Sequence, residues 1–548
     1  MHRQALTTRI TRYAGFALIA SLLPALAAAQ SGVALDPTVQ AQIVNRIAAQ
    51  EHNFTTEIAR FQPRIETYIQ SLGPDRDRGT VPVSDAYFLG TLSTRKGFAE
   101  PLFTGANAGK LAGRFFPTGF AGMITPDRER FDQRHYTFTF EGRQFLGGVR
   151  CVMFDVTPIS KRDKGSFIGR IWAEDQGFNI VRFDGTYVPN PRNKYVHFDS
   201  WRANMGPNLW LPVAIYSQET DQRTGWFSHI DFKAQTRFWG YQLSATRPAT
   251  SLTDIQVDAA NGVDDQSQTA HDKSPLAQQR AWELKAENDV LDRMEKAGLL
   301  APPGPVDKVL ATVVNNLEVT NNLNLDPEVR VRVMLTSPLE SFTVGHTIVI
   351  SRGYIDVLPD EACLAMALAH ELGHIALNHG INTDYAFDDK MFFPDTQSFE
   401  RLQVARSPAE EAAADQKGIE ILEHSPYKDK LASAGLFLEA LQHSAAGVPN
   451  LITPHMGNPM VIKGRVDRMQ ALLARAPQLQ VRDLKQVAAL PLGARIQVDP
   501  WSDQLSLLQA PPEPLLSARD KLTFEITPYM PYLTRESAAE TTASSGSR

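Results

Sequence analysis

His370, Glu371 and His374 stand in the run Asp360–Gly380, DEACLAMALAHELGHIALNHG. Successive residues of a helix turn by about 100°, so positions four apart lie within roughly 40° of each other, one turn up. The two imidazoles would then face one point, as a zinc ion requires. The glutamate beside them could take a proton from metal-activated water without being a ligand itself. The stretch 362–369, ACLAMALA, is apolar all round and predicts a buried helix. Two histidines and a glutamate buried there cost stability unless something partners them, and a metal is such a partner. An ordinary buried helix with two hydrogen-bonded histidines is the competing reading of the same letters. His379 lies nine residues beyond His370, about half a turn round the wheel, and is expected to face away. Cys363 shares the His370 face but sits about 10 Å along the axis, so neither residue is expected to ligate.

A catalytic zinc takes three protein ligands and keeps one position open. The candidate for the third is in SPAEEAAADQKGIEIL, from Ser407. Ser407, Pro408 and Glu410 form a capping box, which uses Glu410 at the helix start and leaves Glu411 available. Asp415, four residues on, shares the Glu411 face with only alanines between, so this helix could pack close to the first. Glu411 as ligand, with Asp415 orienting a histidine, is one reading. A solvated acidic first turn of a surface helix is the other.

These residues must be positioned by the elements around them. The periodicity predicts helix from about Thr38 to Gln70 within an N-terminal helical segment, 30–80. An antiparallel β-rich domain, 81–246, follows, in which HYTFTFEG, SFIGRIWAED, FNIVRFDGTYV and their successors alternate between Gly, Pro and Asn breaks. Its sheet is expected to be strongly curved or sandwich-like. Residues 247–274 read as a polar linker. The domain carrying the histidines spans 275–478, and 479–535 forms a small C-terminal β extension from ARIQVDPW, QLSLLQ and KLTFEITP. Residues 536–548 are low in hydrophobicity and read as a disordered tail. The fold class is therefore α+β.

The two motifs together resemble the zinc metalloendopeptidases that include the CAAX prenyl proteases, the HtpX heat-shock proteases and their soluble periplasmic relatives. The resemblance spans roughly 275–475. It implies a mainly helical zincin-type domain holding one zinc ion on His370, His374 and Glu411, with Glu371 as general base. It also implies an edge strand before the motif helix, at LESFTVGHTIVIS (339–351), that pairs with extended or unfolded protein substrates. Family members carry a His-Pro pair before a late arginine. Here the region reads HMGNPMVIKGRVDRM, so His455 and Arg465 are the candidates for contact with substrate or transition state, and their spacing departs from the pattern.

Composition bounds the remainder. With 548 residues, 43% hydrophobic and a net charge of −6, the chain can fill more than one core, and its scattered basic residues exclude a nucleic-acid footprint. The N-terminus carries arginines and no acid, then FALIASLLPALAAA, the layout of a signal peptide (1–29) for a periplasmic or secreted protein. The apolar run is short for a bilayer-spanning anchor, and no transmembrane helix is expected in the mature chain. Cys151 and Cys363 fall in different predicted domains and are expected as free buried thiols. The alternative to an endopeptidase is a periplasmic binding or chaperone-like protein whose β domain captures clients or lipids. Oligomeric state is open.

Overall fold

The computed structural model describes residues 35–93, 100–104, 117–160, 164–188, 196–223, 229–242, 275–380, 404–493, 495–508 and 514–535. The predicted signal peptide (1–29), linker (247–274) and tail (536–548) lie outside them. The chain is α+β, as its patterning implies.

Helix α1 (Pro37–Glu57) starts where Asp36 accepts hydrogen bonds from Thr38 and Val39 N–H groups (2.8 and 3.2 Å) and Pro37 fills the first turn. It ends in a 3-10 turn at Arg60, not at residue 80. Pro63 follows, and Arg64–Asp75 is strand β1, so the predicted helical segment is half strand. Ile65 to Ser71 are all buried. A strand covered on both faces loses its period of two, and the spacing of Ile65, Tyr68 and Ile69 then mimics a helix.

β1 belongs to one ten-stranded antiparallel sheet, ordered β3-β2-β1-β10-β9-β8-β7-β6-β5-β4. Its other strands are β2 (Gly79–Thr91), β3 (Glu100–Thr104), β4 (Tyr136–Leu146), β5 (Val149–Pro158), β6 (Phe167–Glu174), β7 (Ile180–Tyr187), β8 (Phe198–Gly206), β9 (Leu209–Arg223) and β10 (His229–Trp239). The sandwich alternative is thus replaced by a single layer. Pairing of β1 with β10, from Arg64↔Trp239 to Leu72↔Asp231, brings sequence-distant strands together at its middle. α1 covers one face. Glu51, on its buried side, receives two 2.8 Å bonds from Arg202 of β8, and both side chains are 1% exposed. Arg202 also donates to Ile124 O (2.8 Å) and lies over the Phe54 ring.

The C-terminal half holds helices α2 (Pro275–Lys296) and α3 (Pro305–Thr320), and a three-stranded sheet ordered β11 (Arg330–Met334), β13 (Thr347–Ser351), β12 (Ser341–Val344). Helices α4 (Arg352–Val357), α5 (Glu361–Ala376), α6 (Pro408–Glu423) and α7 (Leu431–Ser444) follow. Tyr68, Tyr87, Leu89 and Trp239 of the large sheet share one core with these elements. The sheet and the helical half therefore meet through apolar packing as well as through polar bonds. Glu66 of β1 accepts from Ser337 N (2.6 Å), Ser337 Oγ (2.8 Å), Tyr87 Oη (3.0 Å) and Arg352 Nη2 (2.8 Å). Asp85 of β2 accepts from the backbone N–H groups of Asn450 and Leu451.

In the C-terminal extension, Ile496–Val498 and Leu505–Leu507 pair as a short antiparallel hairpin. KLTFEITP does not add a third strand. It makes one bridge, Leu492↔Ile526, while Phe524 and Ile526 are buried in the core and their backbone groups bond the Gln70 side chain at 2.7 and 2.9 Å. Both cysteines are free and buried, and burial pushes the Cys151 thiol up to about 12. Among the described residues no helix is long and apolar enough to cross a membrane.

Candidate functional site

α5 begins where the Asp360 side chain accepts from Cys363 N (2.9 Å), with Glu361 in the first turn. Its residues from Ala365 to Ile375 are buried without a break. α6 starts on the predicted capping box: Ser407 Oγ accepts from Glu410 N (3.3 Å) and Glu410 Oε2 accepts from Ser407 N (2.9 Å). The two helices touch backbone to backbone. A Cβ on Gly373 would stand 2.6 Å from Ala414 O, and one on Gly418 would stand 2.9 Å from Ala369 O. Small residues at these crossings let Glu411 reach the histidines.

His370, His374 and Glu411 come together, all buried, with one ligand atom of each within 4.8 Å of the others. His370 Nε2 and His374 Nε2 are 3.3 Å apart and face Glu411 Oε2 and Oε1 at 3.5 and 3.4 Å. These separations are long for N–H···O bonds. Glu411 Oε1 is buried and has no hydrogen-bond partner. The second nitrogen of each ring is engaged elsewhere. His370 Nδ1–H donates to Asp415 Oδ1 (2.7 Å), whose other oxygen accepts from Met469 N (2.8 Å). His374 Nδ1 is bonded to His379 Nδ1 (2.9 Å). Two Nε2 lone pairs and a carboxylate oxygen lacking a donor thus converge, and this donor set fits a zinc ion.

Electrostatics support the same arrangement. Burial pushes the Glu411 carboxyl up, but His370, His374 and Arg468 outweigh it and hold the group well below the usual carboxylate range. For His370, burial and Arg468 push the pKa down, while Asp415 and Glu411 carry it above its ordinary value. Glu371 Oε1 accepts from Ser341 Oγ (2.7 Å) and Arg468 Nη1 (3.1 Å). Arg468 Nε donates to Glu411 Oε2 (3.1 Å), so one buried guanidinium bridges the two carboxylates.

Two expectations need correction. His379 does not face away. α5 stops at Ala376, Asn378 takes the left-handed conformation (φ 56°), and the reversed chain carries the His379 ring back to His374. Residue 379 lies beyond the end of the helix, where helical periodicity no longer places it. His379 is not part of the cluster of His370, His374 and Glu411. Arg465 is exposed on a short hairpin pairing Val461–Ile462 with Arg465–Val466, and the arginine that meets the site is Arg468. The Lys463-Gly464 turn, both with positive φ, was the available signal. It places Arg465 on a hairpin strand and moves the useful arginine three residues on. His455 bonds Glu340 Oε1 (3.3 Å) and packs against the Tyr87 ring (5.0 Å), beside the start of β12. Ser341, which the motifs did not single out, supplies the hydroxyl on Glu371.

Comparison with known proteins agrees with this site. The model of peptidase family M48 matches residues 307–476. No curated protein matches the chain. Among solved structures, the chain is similar to a putative outer membrane lipoprotein-sorting protein domain from Vibrio parahaemolyticus, at 11% identity over 36% of this chain and 88% of that one, with a TM-score of 0.19. It is also similar to the Pseudomonas aeruginosa MucA/MucB complex, at 10% identity over 36% and 93%, with a TM-score of 0.13. Scores this low carry no inference about fold or ligand. Ser341, His370, Glu371, His374, His379, Glu411, Asp415 and Arg468 all fall inside the matched segment, so residues 307–476, which hold the whole site, are similar to peptidase family M48.

Proposed function

We propose that the protein is a zinc-dependent endopeptidase that cleaves extended or unfolded protein segments outside the cytoplasm. The observation that carries this reading is the convergence of His370 Nε2, His374 Nε2 and the Glu411 carboxylate beside Glu371. A zinc ion bound there supplies Lewis-acid polarisation of the scissile carbonyl and a lowered pKa for water. Glu371 accepts the proton of the attacking water and later gives it to the leaving amine. Among the described residues its hydrogen bonds fall on Oε1, which leaves Oε2 to accept that proton. Asp415 and His379 fix the ring orientations and keep each Nε2 aimed inward. Arg468 balances the charge of two buried carboxylates and limits how far Glu371 can turn. β12, at the edge of its sheet, is the platform on which an extended substrate would lie. The N-terminal segment 1–29, read as a signal peptide, supports placement in the periplasm or outside the cell. The role of the large sheet is to brace the loop before β12 through Glu66, with client capture a further use of its surface.

The test is cleavage of casein, an unfolded protein, by the chain from Gln30 onward. Fragments are expected with the zinc-loaded chain, none after chelation, and full recovery on adding one equivalent of zinc. Cleavage that survives chelation, or none by a fully zinc-loaded chain, would overturn the reading; the second result would favour a binding protein.

A further inference from the structure

The edge strand β12 has its own hydrogen-bonding arithmetic. It pairs with β13 as Ser341↔Ile350, Phe342↔Val349, Thr343↔Ile348 and Val344↔Thr347, closed by the two-residue turn Gly345-His346. Ser351 N donates to Glu340 O (2.8 Å), which fixes the phase of the ladder. Alternate residues of an antiparallel pair point their backbone groups away from the partner. Counting from residue 340, those residues are Ser341 and Thr343. Their carbonyls form the row that an added strand would use, about 6.8 Å apart.

Each of these carbonyls accepts from an arginine. Arg468 Nη1 reaches Ser341 O (3.3 Å), and Arg406 Nη2 reaches Thr343 O (3.4 Å) and Thr343 Oγ1 (2.9 Å). The two arginines are held differently. Arg468 is tied by Glu371, Glu411 and the Ser341 hydroxyl, and its bond to Ser341 O is one of several. Arg406 has no ion pair among the described residues. Its side chain rests on neutral acceptors, Thr343 and Gly380 O, and its Nε is buried with no acceptor among the described residues. Its backbone is anchored, by contrast: Arg406 N donates to Asn458 Oδ1 (2.6 Å) and Asn458 Nδ2 donates to Arg406 O (2.9 Å). The segment 404–407 therefore stays in place while the guanidinium is free to leave Thr343.

We propose that Arg406 is the gating residue of the substrate edge: it occupies the Thr343 carbonyl that an extended substrate must take, and it turns away when substrate pairs with β12. This rests on the peptidase reading above. It also gives the edge a use when no substrate is present, because a capped edge strand does not pair with other copies of the chain. Substrate binding then carries the cost of breaking the Arg406 bonds, and Asn458 is the anchor from which the side chain pivots.

The experiment measures KM and kcat for casein with full-length mature chains carrying Arg406→Ala or Thr343→Val. The first variant uncaps the edge; the second weakens the cap by removing the Oγ1 acceptor while keeping the arginine, its bond to Thr343 O and the strand shape. KM is expected to fall by about 3–10-fold in Arg406→Ala, the worth of one net hydrogen bond, and by less in Thr343→Val, with kcat nearly unchanged. An unchanged or raised KM in both variants would overturn the proposal and make Arg406 a substrate-holding or structural residue. If Arg406→Ala fails to fold, Thr343→Val decides by the same sign. If the wild-type chain cleaves nothing, the peptidase reading fails on its own, and binding of fluorescein-labelled casein to the same chains tests the gate. Tighter binding by the variants sustains it, and equal or weaker binding removes it.

Discussion

Glu371→Gln is expected to lower peptide-bond cleavage by about 10²–10⁴-fold, the usual contribution of a positioned general base, while zinc content stays at the wild-type level. Glutamine keeps the shape of the side chain and an oxygen that accepts from Ser341 Oγ and Arg468, so the local packing has no reason to change. It cannot take a proton from water. The proposed ligand set of His370, His374 and Glu411 does not include residue 371, so this one change separates metal binding from catalysis. Arg468 keeps its second carboxylate, Glu411, and is not left as an unpaired buried charge. Turnover of casein and metal analysis of the same sample check the prediction. Near-wild-type turnover would remove Glu371 from the mechanism. Loss of zinc would mean that the side chain helps to hold the metal.

Glu66→Ala is expected to destabilise the protein by about 3–5 kcal/mol, because it leaves a buried partner charge uncompensated. Glu66 and Arg352 are each about 2% exposed and 2.8 Å apart. The same carboxylate accepts from Ser337 N, Ser337 Oγ and Tyr87 Oη, and alanine would orphan all three donors. Denaturant unfolding of the mature chain measures the loss. A change below about 1 kcal/mol, the size of a surface ion pair, would show that the interface is held by its apolar core alone. The effect should also reach the site. Ser337 leads through Pro338 to Glu340, which pairs with His455 against the Tyr87 ring, and Ser341 on Glu371 is the next residue. The large sheet thus braces the loop that leads to Ser341 and Glu371, a part in the site that does not require substrate contact.

What was legible beforehand followed from local rules. The spacing of His370 and His374, the capping box at Ser407 and the alanines before Asp415 are short-range patterns, and each predicted the contact that the fold makes. The strands between Tyr136 and Trp239 were visible because their turns carry Gly, Pro and Asn. The errors came where local pattern and tertiary context disagree. β1 is buried on both faces and shows no alternation, so its pattern reads as helix. Its partner β10 lies more than 150 residues away in sequence, and no local signal announces that pairing. Helical periodicity ends at Ala376 and so does not place His379, and the hairpin that carries Arg465 leaves the site to Arg468, three residues on. Neither Ser341 nor Arg406 has a motif. Each matters only because β12 runs along the mouth of the site, and that is a property of the assembled sheet.

The measurement that bears most directly on the central claim is anomalous scattering at the zinc edge from crystals of the zinc-loaded mature chain. One peak is predicted, bonded to His370 Nε2, His374 Nε2 and a Glu411 oxygen at about 2.0–2.2 Å. A chain that binds no zinc, or a peak whose ligands exclude Glu411, would contradict it.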